Sequence, residues 1–123
     1  MARKLVLLAL LVASALHAQD IPYFTTDFPP EEFAARRARV FDAIGANGVA
    51  VLQGAPSPAA YVRFRQSNDF YYLTGIEVPH AYALLDGSTK TTTLFLPHRN
   101  EARERAEGKV LSAEDGDQVT DVQ

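Results

Sequence analysis

A chain of 123 residues is long enough for one domain with a modest core, and its composition restricts what that domain can do. It contains no cysteine, which excludes disulfides, thiolate zinc sites and a cysteine nucleophile. The formal net charge is −3, and loss of an N-terminal segment carrying Arg3 and Lys4 would leave ten basic against fifteen acidic residues. A chain this acidic lacks the basic stripe that would bind nucleic acids or anionic membrane surfaces, so we expect neither as a partner.

The first 18 residues have the organisation of a secretory signal peptide. Arg3 and Lys4 form a basic start, LVLLALLVASAL is an apolar run, and small residues lead to Ala18. The run is shorter than the roughly 20 residues of a membrane-spanning helix, and it lacks the polar face of a core helix. We expect cleavage after Ala18, or alternatively after Ala15, and export to the periplasm or the exterior.

An extended arm and an amphipathic helix are predicted next. Residues 19–30 contain three prolines among aromatic residues, which favours an extended segment. Pro30 and the two glutamates after it suit the first turn of a helix, and Gly45 or Gly48 can end that helix in a left-handed conformation. Arg36 and Arg39 are predicted to point away from the core. The predicted apolar side consists of Phe33, Ala34, Ala38, Val40, Phe41 and Ile44.

Three strands and a second helix are predicted after the first helix. The nearly all-apolar run VAVLQG, residues 49–54, indicates a central strand covered on both faces. Residues 82–86 and 92–96 indicate two strands around a polar turn in which Gly87 can take a positive φ. Residues 100–107 form a charged helix, and this order of elements predicts an α/β layer fold. The last residues resemble an element that does not complete, so we expect the chain to be cut within a domain.

Candidate metal and catalytic residues lack the spacing that such sites need. His80 and His98 are eighteen residues apart, and His17 belongs to the predicted signal. Glu114, Asp115 and Asp117 offer oxygen ligands, but Val119 stands where a calcium loop needs another one, so a solvated acidic loop is expected. Neither a glycine-flanked nucleophilic serine nor a glycine-rich phosphate loop is found. The residues by themselves therefore predict no catalytic and no metal-binding residue.

The segment FRQSNDFYYLTG, residues 64–75, is rich in both polar and aromatic side chains. One interpretation is structural: a turn pinned to the core by its aromatic rings, with Arg65 and Asp69 forming an ion pair and Gln66 helping to form the turn. The other interpretation is functional, with the polar atoms facing a cleft or a partner surface. The candidate residues are then Arg65, Asn68, Asp69, Tyr71 and Tyr72.

The same segment resembles a known family. FRQSNDFYYLTG, followed by IEVPHAYALLD and TLFLPHRNEARERAEG, is similar to the N-terminal domain of aminopeptidase P, from the Xaa-Pro aminopeptidases of the creatinase and prolidase superfamily. The family's glutamate–proline is relaxed here, since Val78 separates Glu77 from Pro79. The other family positions fall on Arg65-Gln66, Ser67-Asn68, Asp69-Phe70, Tyr71-Tyr72 and Gly75.

This resemblance implies a three-layer α/β/α fold with a mixed β-sheet, formed incompletely by residues 31–123. It also implies a full-length metalloaminopeptidase that removes the residue preceding proline with two divalent ions, usually manganese. The ligands of those ions belong to a C-terminal "pita-bread" domain, and no residue of this chain matches them. The chain is thus expected to be an inert part that contacts the catalytic domain and contributes to a homo-oligomer. A free-standing exported binding or scaffold domain, or the N-terminal part of a prolidase or creatinase, remain the alternatives.

Overall fold

The computed structural model describes residues 28–118, with side chains up to Gly116. Helix α1 (Pro30–Ile44) is followed by strand β1 (Val49–Gln53), helix α2 (Asn68–Thr74), strands β2 (Tyr82–Asp86) and β3 (Thr91–Phe95), helix α3 (Glu101–Glu107) and a 3₁₀ segment (Ala113–Gln118). The predicted signal peptide and most of the predicted arm, residues 19–30, lie outside the described residues. Within residues 28–118, no helix is long and apolar enough to cross a membrane.

Helix α1 begins and ends as predicted. Pro30 is its first residue, and Gly45 follows its end with a φ of 69°, donating its N–H to the carbonyl oxygen of Phe41 at 3.0 Å. Two phenylalanines of the predicted apolar side, Phe33 and Phe41, are buried, whereas the alanines between them are exposed. Arg39 is exposed as predicted. The prediction for Arg36 is wrong, because this side chain is buried.

The three strands form an antiparallel sheet in the order β1-β2-β3. In its middle row, Val51 lies opposite Leu84, which lies opposite Thr93. The predicted hairpin is confirmed, with β3 beginning one residue earlier than expected. The positive φ of its turn belongs to Lys90, at 55°, and not to Gly87. Gly87 is needed for another reason: a Cβ there would clash with the carbonyl oxygen of Gly45.

The prediction that residues 49–54 form a central strand is wrong. Among the described residues β1 is an edge strand that pairs only with β2. Ala50 and Leu52 point into the core, while Val49 and Val51 keep 64% and 66% of their surface exposed. An apolar run of this length is equally compatible with a central strand and with an edge strand. The sequence shows that both faces of the strand are apolar, but it does not show which elements cover them.

The core lies on one face of the sheet. Ala83 and Leu85 of β2 form a buried cluster with the α1 residue Phe41 and the α2 residue Phe70. The opposite face exposes the apolar side chains of Val49, Val51, Tyr82 and Phe95. The α/β fold class is confirmed. A three-layer fold with a mixed sheet was expected. Residues 28–118 contain a sheet of three antiparallel strands, with α1 and α2 packed on one of its faces.

Candidate interface site

The segment FRQSNDFYYLTG forms a short helix, which the interpretation as a turn missed. Helix α2 follows Ser67, whose side chain makes no capping hydrogen bond, and it ends at Gly75. Gly75 has a φ of 69° and donates its N–H to the carbonyl oxygen of Tyr71 at 2.8 Å. Such a left-handed residue closes a helix at least cost when it is glycine. The family's glycine position therefore has a direct geometric reason.

One side of α2 anchors the segment in the core. Phe70 is completely buried, as predicted, and Leu73 and Thr74 are buried beside it. The hydroxyl of Thr74 donates to the carbonyl oxygen of Phe70 at 2.8 Å and accepts the N–H of Ile76 at 3.1 Å. The structural interpretation of the segment is therefore correct for its apolar side.

Gln66 joins three parts of the chain, a role that sequence reasoning missed. Its Oε1 accepts the N–H of Ala55 at 2.6 Å and that of Ser67 at 3.0 Å. Its Nε2 donates to the carbonyl oxygens of Ile76 at 3.2 Å and Val78 at 3.0 Å. All four hydrogen bonds of the side-chain amide are thus made, so Gln66 holds the loop after β1 against the segment after α2.

Two arginines of α1 bind the C-terminal end of α2. The guanidinium of Arg36 donates to the carbonyl oxygen of Tyr72 at 3.1 Å, and Nη1 of Arg37 donates to that of Leu73 at 3.0 Å. The last carbonyls of a helix have no partner within the helix, and positive charge is favourable at this end. Burial lowers the pKa of Arg37 from its ordinary value. Sequence periodicity could not reveal these bonds, because their acceptors are backbone atoms of another element.

An aromatic–arginine cluster surrounds Arg36, consisting of Phe28, Phe33, Arg36, Tyr71 and Tyr72. The Arg36 guanidinium carbon lies 4.8, 5.1 and 4.4 Å from the ring centres of Phe28, Phe33 and Tyr72, and Phe33 meets Phe28 and Tyr71 edge to face. Cation–π contacts of this kind are attractive and strengthen as water is excluded. Phe28 and Tyr72 remain 42% and 47% exposed, so the cluster extends to the surface.

The structure separates the predicted site residues into two groups. Tyr71, which is half-buried, and Tyr72 belong to the aromatic–arginine cluster, while Arg65, Asn68 and Asp69 are exposed at the beginning of α2. The predicted ion pair is wrong: among residues 28–118, Arg65 and Asp69 form no salt bridge with each other. Asp69 lies in the first turn of α2, where the helix dipole already favours a carboxylate.

The acidic stretch near the C-terminus is not a solvated loop, contrary to expectation. Glu114 forms a hydrogen bond with Nδ1 of His98 at 2.9 Å and accepts the backbone N–H of Arg99 at 2.9 Å. These bonds lower the pKa of Glu114 from 4.5 to about 2, and the bond with His98 has the largest effect. Asp115 is buried, accepts two hydrogen bonds from Ser112 and pairs with the Arg99 guanidinium. Hydrogen bonds from Ser112 and Arg99 lower its pKa as well.

Within the described part of the chain, no three side chains of His, Asp or Glu come together in a way that could hold a metal ion. His80 is used differently, since its Nε2 accepts the N–H of Ser57 at 3.2 Å. Between residues 28 and 118, helix α2 and its surroundings expose aromatic rings, amides and unpaired charges. Such groups are suited to contacts with another protein surface.

Comparison with known proteins relates this chain to a family. The family model "Aminopeptidase P, N-terminal domain" matches residues 33–123. The chain is 31% identical over 101 residues to human Xaa-Pro dipeptidase, covering 73% of the chain and 20% of that protein. It is 32% identical over 83 residues to a probable Xaa-Pro aminopeptidase of Pyricularia oryzae, covering 63% of the chain and 16% of that protein.

Comparison with solved structures finds the same kind of protein as the sequence comparison. Escherichia coli aminopeptidase P in complex with the inhibitor Pro-Leu superposes with a TM-score of 0.68 at 25% identity, covering 80% of the chain and 24% of that structure. Proline aminopeptidase P II from Yersinia pestis gives 0.67 at 26% identity, with 78% and 24% covered. The chain spans about a fifth to a quarter of the length of these proteins. Because the family model covers most of the chain and the fold agrees, this chain belongs to the aminopeptidase P N-terminal domain family.

Proposed function

We propose that this chain is a non-catalytic N-terminal domain of an exported Xaa-Pro aminopeptidase, whose catalytic machinery lies in a second domain. The observation that carries the proposal is the family match over residues 33–123 in a chain that spans only a fifth to a quarter of its relatives. The enzyme as a whole would remove the N-terminal residue that precedes proline in a peptide.

The residue chemistry supports a catalytic site elsewhere. A two-metal hydrolase needs several carboxylates converging on ions about 3.5–4 Å apart, which together activate a water. Residues 28–118 bring no three His, Asp or Glu side chains into such an arrangement, so they do not fit the two manganese ions that the family resemblance implies. We assign those ions to the second domain and expect this chain to be inactive alone.

Two exposed surfaces suit a role in assembly. Helix α2 presents Asn68, Asp69 and Tyr72 to solvent, and Arg65 is exposed in the loop before it. We assign these residues, with the half-buried Tyr71, to contacts with the catalytic domain or with another subunit of a homo-oligomer. The uncovered sheet face suits a second helical layer, because a sheet normally buries an apolar face against another element. Peptide substrates would meet this domain only through the catalytic one.

Export remains part of the proposal. Its support is the signal-like sequence of residues 1–18, which lie outside the described residues, with cleavage expected near Ala18. Sequencing the N-terminus of the protein recovered from its natural compartment tests this: retention of the first 18 residues would contradict it.

A second candidate is the N-terminal part of a prolidase, which the 31% identity to human Xaa-Pro dipeptidase favours. The two enzymes differ in substrate, since a dipeptidase acts on Xaa-Pro dipeptides and an aminopeptidase also on longer chains. The third alternative, a free-standing exported binding domain, shares the fold without the activity, and fold alone does not decide between them.

The proposal is tested by two measurements. The genomic sequence after Gln123 should continue in frame into a metallopeptidase domain, and a stop codon with nothing related after it would favour the free-standing domain. The purified 123-residue chain, incubated with Ala-Pro-Ala and manganese, should release no alanine. The full-length protein, which includes the metallopeptidase domain, should release it. Metal-dependent release by the 123-residue chain that persists after repurification would refute the assignment of catalysis to a second domain.

A further inference from the structure

Arg37 is a buried cation without an acidic partner among the described side chains. Only 3% of its surface is exposed, and its single described hydrogen bond goes to the carbonyl oxygen of Leu73. A guanidinium has five N–H donors, and none of the carboxylates described between residues 28 and 116 lies within ion-pair distance of this one. By contrast, its neighbour Arg36 pairs with Glu32 at 3.0 Å. Proteins seldom retain a buried charge without a counter-charge, because its desolvation is costly.

The remaining donors of Arg37 are not fully enclosed. Every fully buried side-chain nitrogen or oxygen in the described part of the chain has a hydrogen-bond partner, so the other nitrogens of Arg37 keep contact with open space. Arg37 is one of the residues that line a cleft of about 240 Å³ between α1 and the β2–β3 hairpin, whose apolar wall is formed by Ala38 and Phe41. A cleft of this volume can admit a carboxyl-bearing side chain.

The charge of the cleft is positive although the chain is acidic overall. Its lining contains Arg37 and Lys90 as cations and Asp42 as the one carboxylate. Asp42 faces Lys90 at 3.9 Å, and both side chains are more than two-thirds exposed, so this weak pair lies at the rim and leaves the buried charge of Arg37 uncompensated.

We propose that this cleft is a carboxylate-binding site, in which Arg37 pairs with an aspartate or glutamate side chain from a polypeptide segment beyond this chain. The bidentate fit of a guanidinium to a carboxylate is the strongest pairing available to a buried arginine. The choice of occupant rests on the proposed function, in which the rest of a longer protein supplies the segment, since the aligned part of this chain covers only 20% and 24% of two relatives. The chain's own acidic residues whose side chains are not described are few: Asp20, Asp27, Asp117 and Asp121.

Acetate serves as a probe of this site. We expect the melting temperature of the 123-residue chain to rise by about 5 °C more in sodium acetate than in sodium chloride of equal ionic strength, because a bound ligand stabilises the folded state. Arg37→Gln should abolish this difference. Arg39→Gln, which removes an exposed arginine from the same helix, should retain it. An acetate effect in Arg37→Gln equal to that in the unaltered chain would overturn the proposal. So would the absence of any acetate effect both in the unaltered chain and in the aspartate-to-asparagine variant of the next paragraph.

Two additions keep the test decisive. If Arg37→Gln does not fold, ¹⁵N NMR of the unaltered chain should show the Arg37 Nε–H signal shifting saturably with acetate and not with chloride; an unmoved signal counts against the site. In the second, Asp20, Asp27, Asp117 and Asp121 are all replaced by asparagine. An acetate effect that appears only in this variant would overturn the assignment to a segment beyond the chain, because the occupant would then be one of these four residues. Absence of a downstream metallopeptidase domain would contradict the proposed function and leave the acetate result intact.

Discussion

Gly75 lies directly against the ring of Phe33. A Cβ on Gly75 would stand 2.7 Å from Cζ of Phe33, and the glycine also has a φ of 69°. Two independent constraints, a left-handed backbone and the close approach of an aromatic ring, therefore act on one position where α1 crosses the end of α2.

Gly75→Ala should destabilise the chain by about 2–4 kcal/mol, the sum of left-handed strain and overpacking. Thermal or urea unfolding measures it. In a Phe33→Leu background the overpacking should be relieved and the penalty should fall to the backbone strain alone. Equal penalties in both backgrounds would show that the ring does not contribute.

Phe70→Ala should largely unfold the chain. The side chain is completely buried in the core, and truncation of a buried phenylalanine costs about 3–5 kcal/mol, a large share of the stability of a small domain. Circular dichroism and urea titration check this. Tyr72→Ala, an exposed aromatic of the same helix, is the control and should cost much less. A cooperative transition of unchanged midpoint in Phe70→Ala would contradict the observed packing.

Gln66→Ala should cost about 2–3 kcal/mol, because it removes four hydrogen bonds and leaves partly buried backbone groups unsatisfied. Gln66→Glu keeps the two acceptor contacts to Ala55 and Ser67 but places an anion against the carbonyls of Ile76 and Val78, so it should not restore stability. Urea unfolding compares both with Gln53→Ala, an exposed glutamine expected to change stability by no more than about 0.5 kcal/mol. A neutral Gln66→Ala would contradict this role.

Arg65→Ala should leave the stability of the chain within about 0.5 kcal/mol, since Arg65 is exposed and unpaired among the described residues. In the longer enzyme of the proposed function, the same change should lower Xaa-Pro peptidase activity or weaken the oligomer at unchanged melting temperature. Arg63→Ala, an exposed arginine of the same loop, is the matched control. If the two variants are equally active and assemble equally, Arg65 does not belong to the interface.

Glu114 should make the fold sensitive to acid between pH 4.5 and 2. Its pKa is lowered from 4.5 to about 2, so its ionised form stabilises the folded state; this contribution is complete above pH 4.5 and is lost as the pH falls through 2. Glu114→Gln should melt lower at pH 6 and lose less stability over that acid range. Glu77→Gln, at an exposed position, should follow the unaltered chain. Parallel stability curves for Glu114→Gln and the unaltered chain would contradict the hydrogen bonds from His98 and Arg99.

The sequence by itself determined most of the local elements and, through resemblance, the family. Helix α1, the β2–β3 hairpin and helix α3 follow from periodicity and from proline and glycine positions, which act within a few residues. The structure adds the cap of α3, where the Asn100 side chain accepts the N–H of Arg103. The burial of Phe70 was also predictable, because a large ring without a polar atom gains most from the core.

The tertiary structure decided which polar side chains are buried and what they bind. Arg36 and Arg37 turn inward because the end of α2 offers them unpaired carbonyl oxygens, and Gln66 is a structural link because three backbone segments meet around its amide. Arg65, by contrast, stays in solvent although its sequence neighbours suggested a partner in Asp69. Hydrogen-bond partners far apart in the chain become neighbours only after the elements pack, so no local pattern of residues records them.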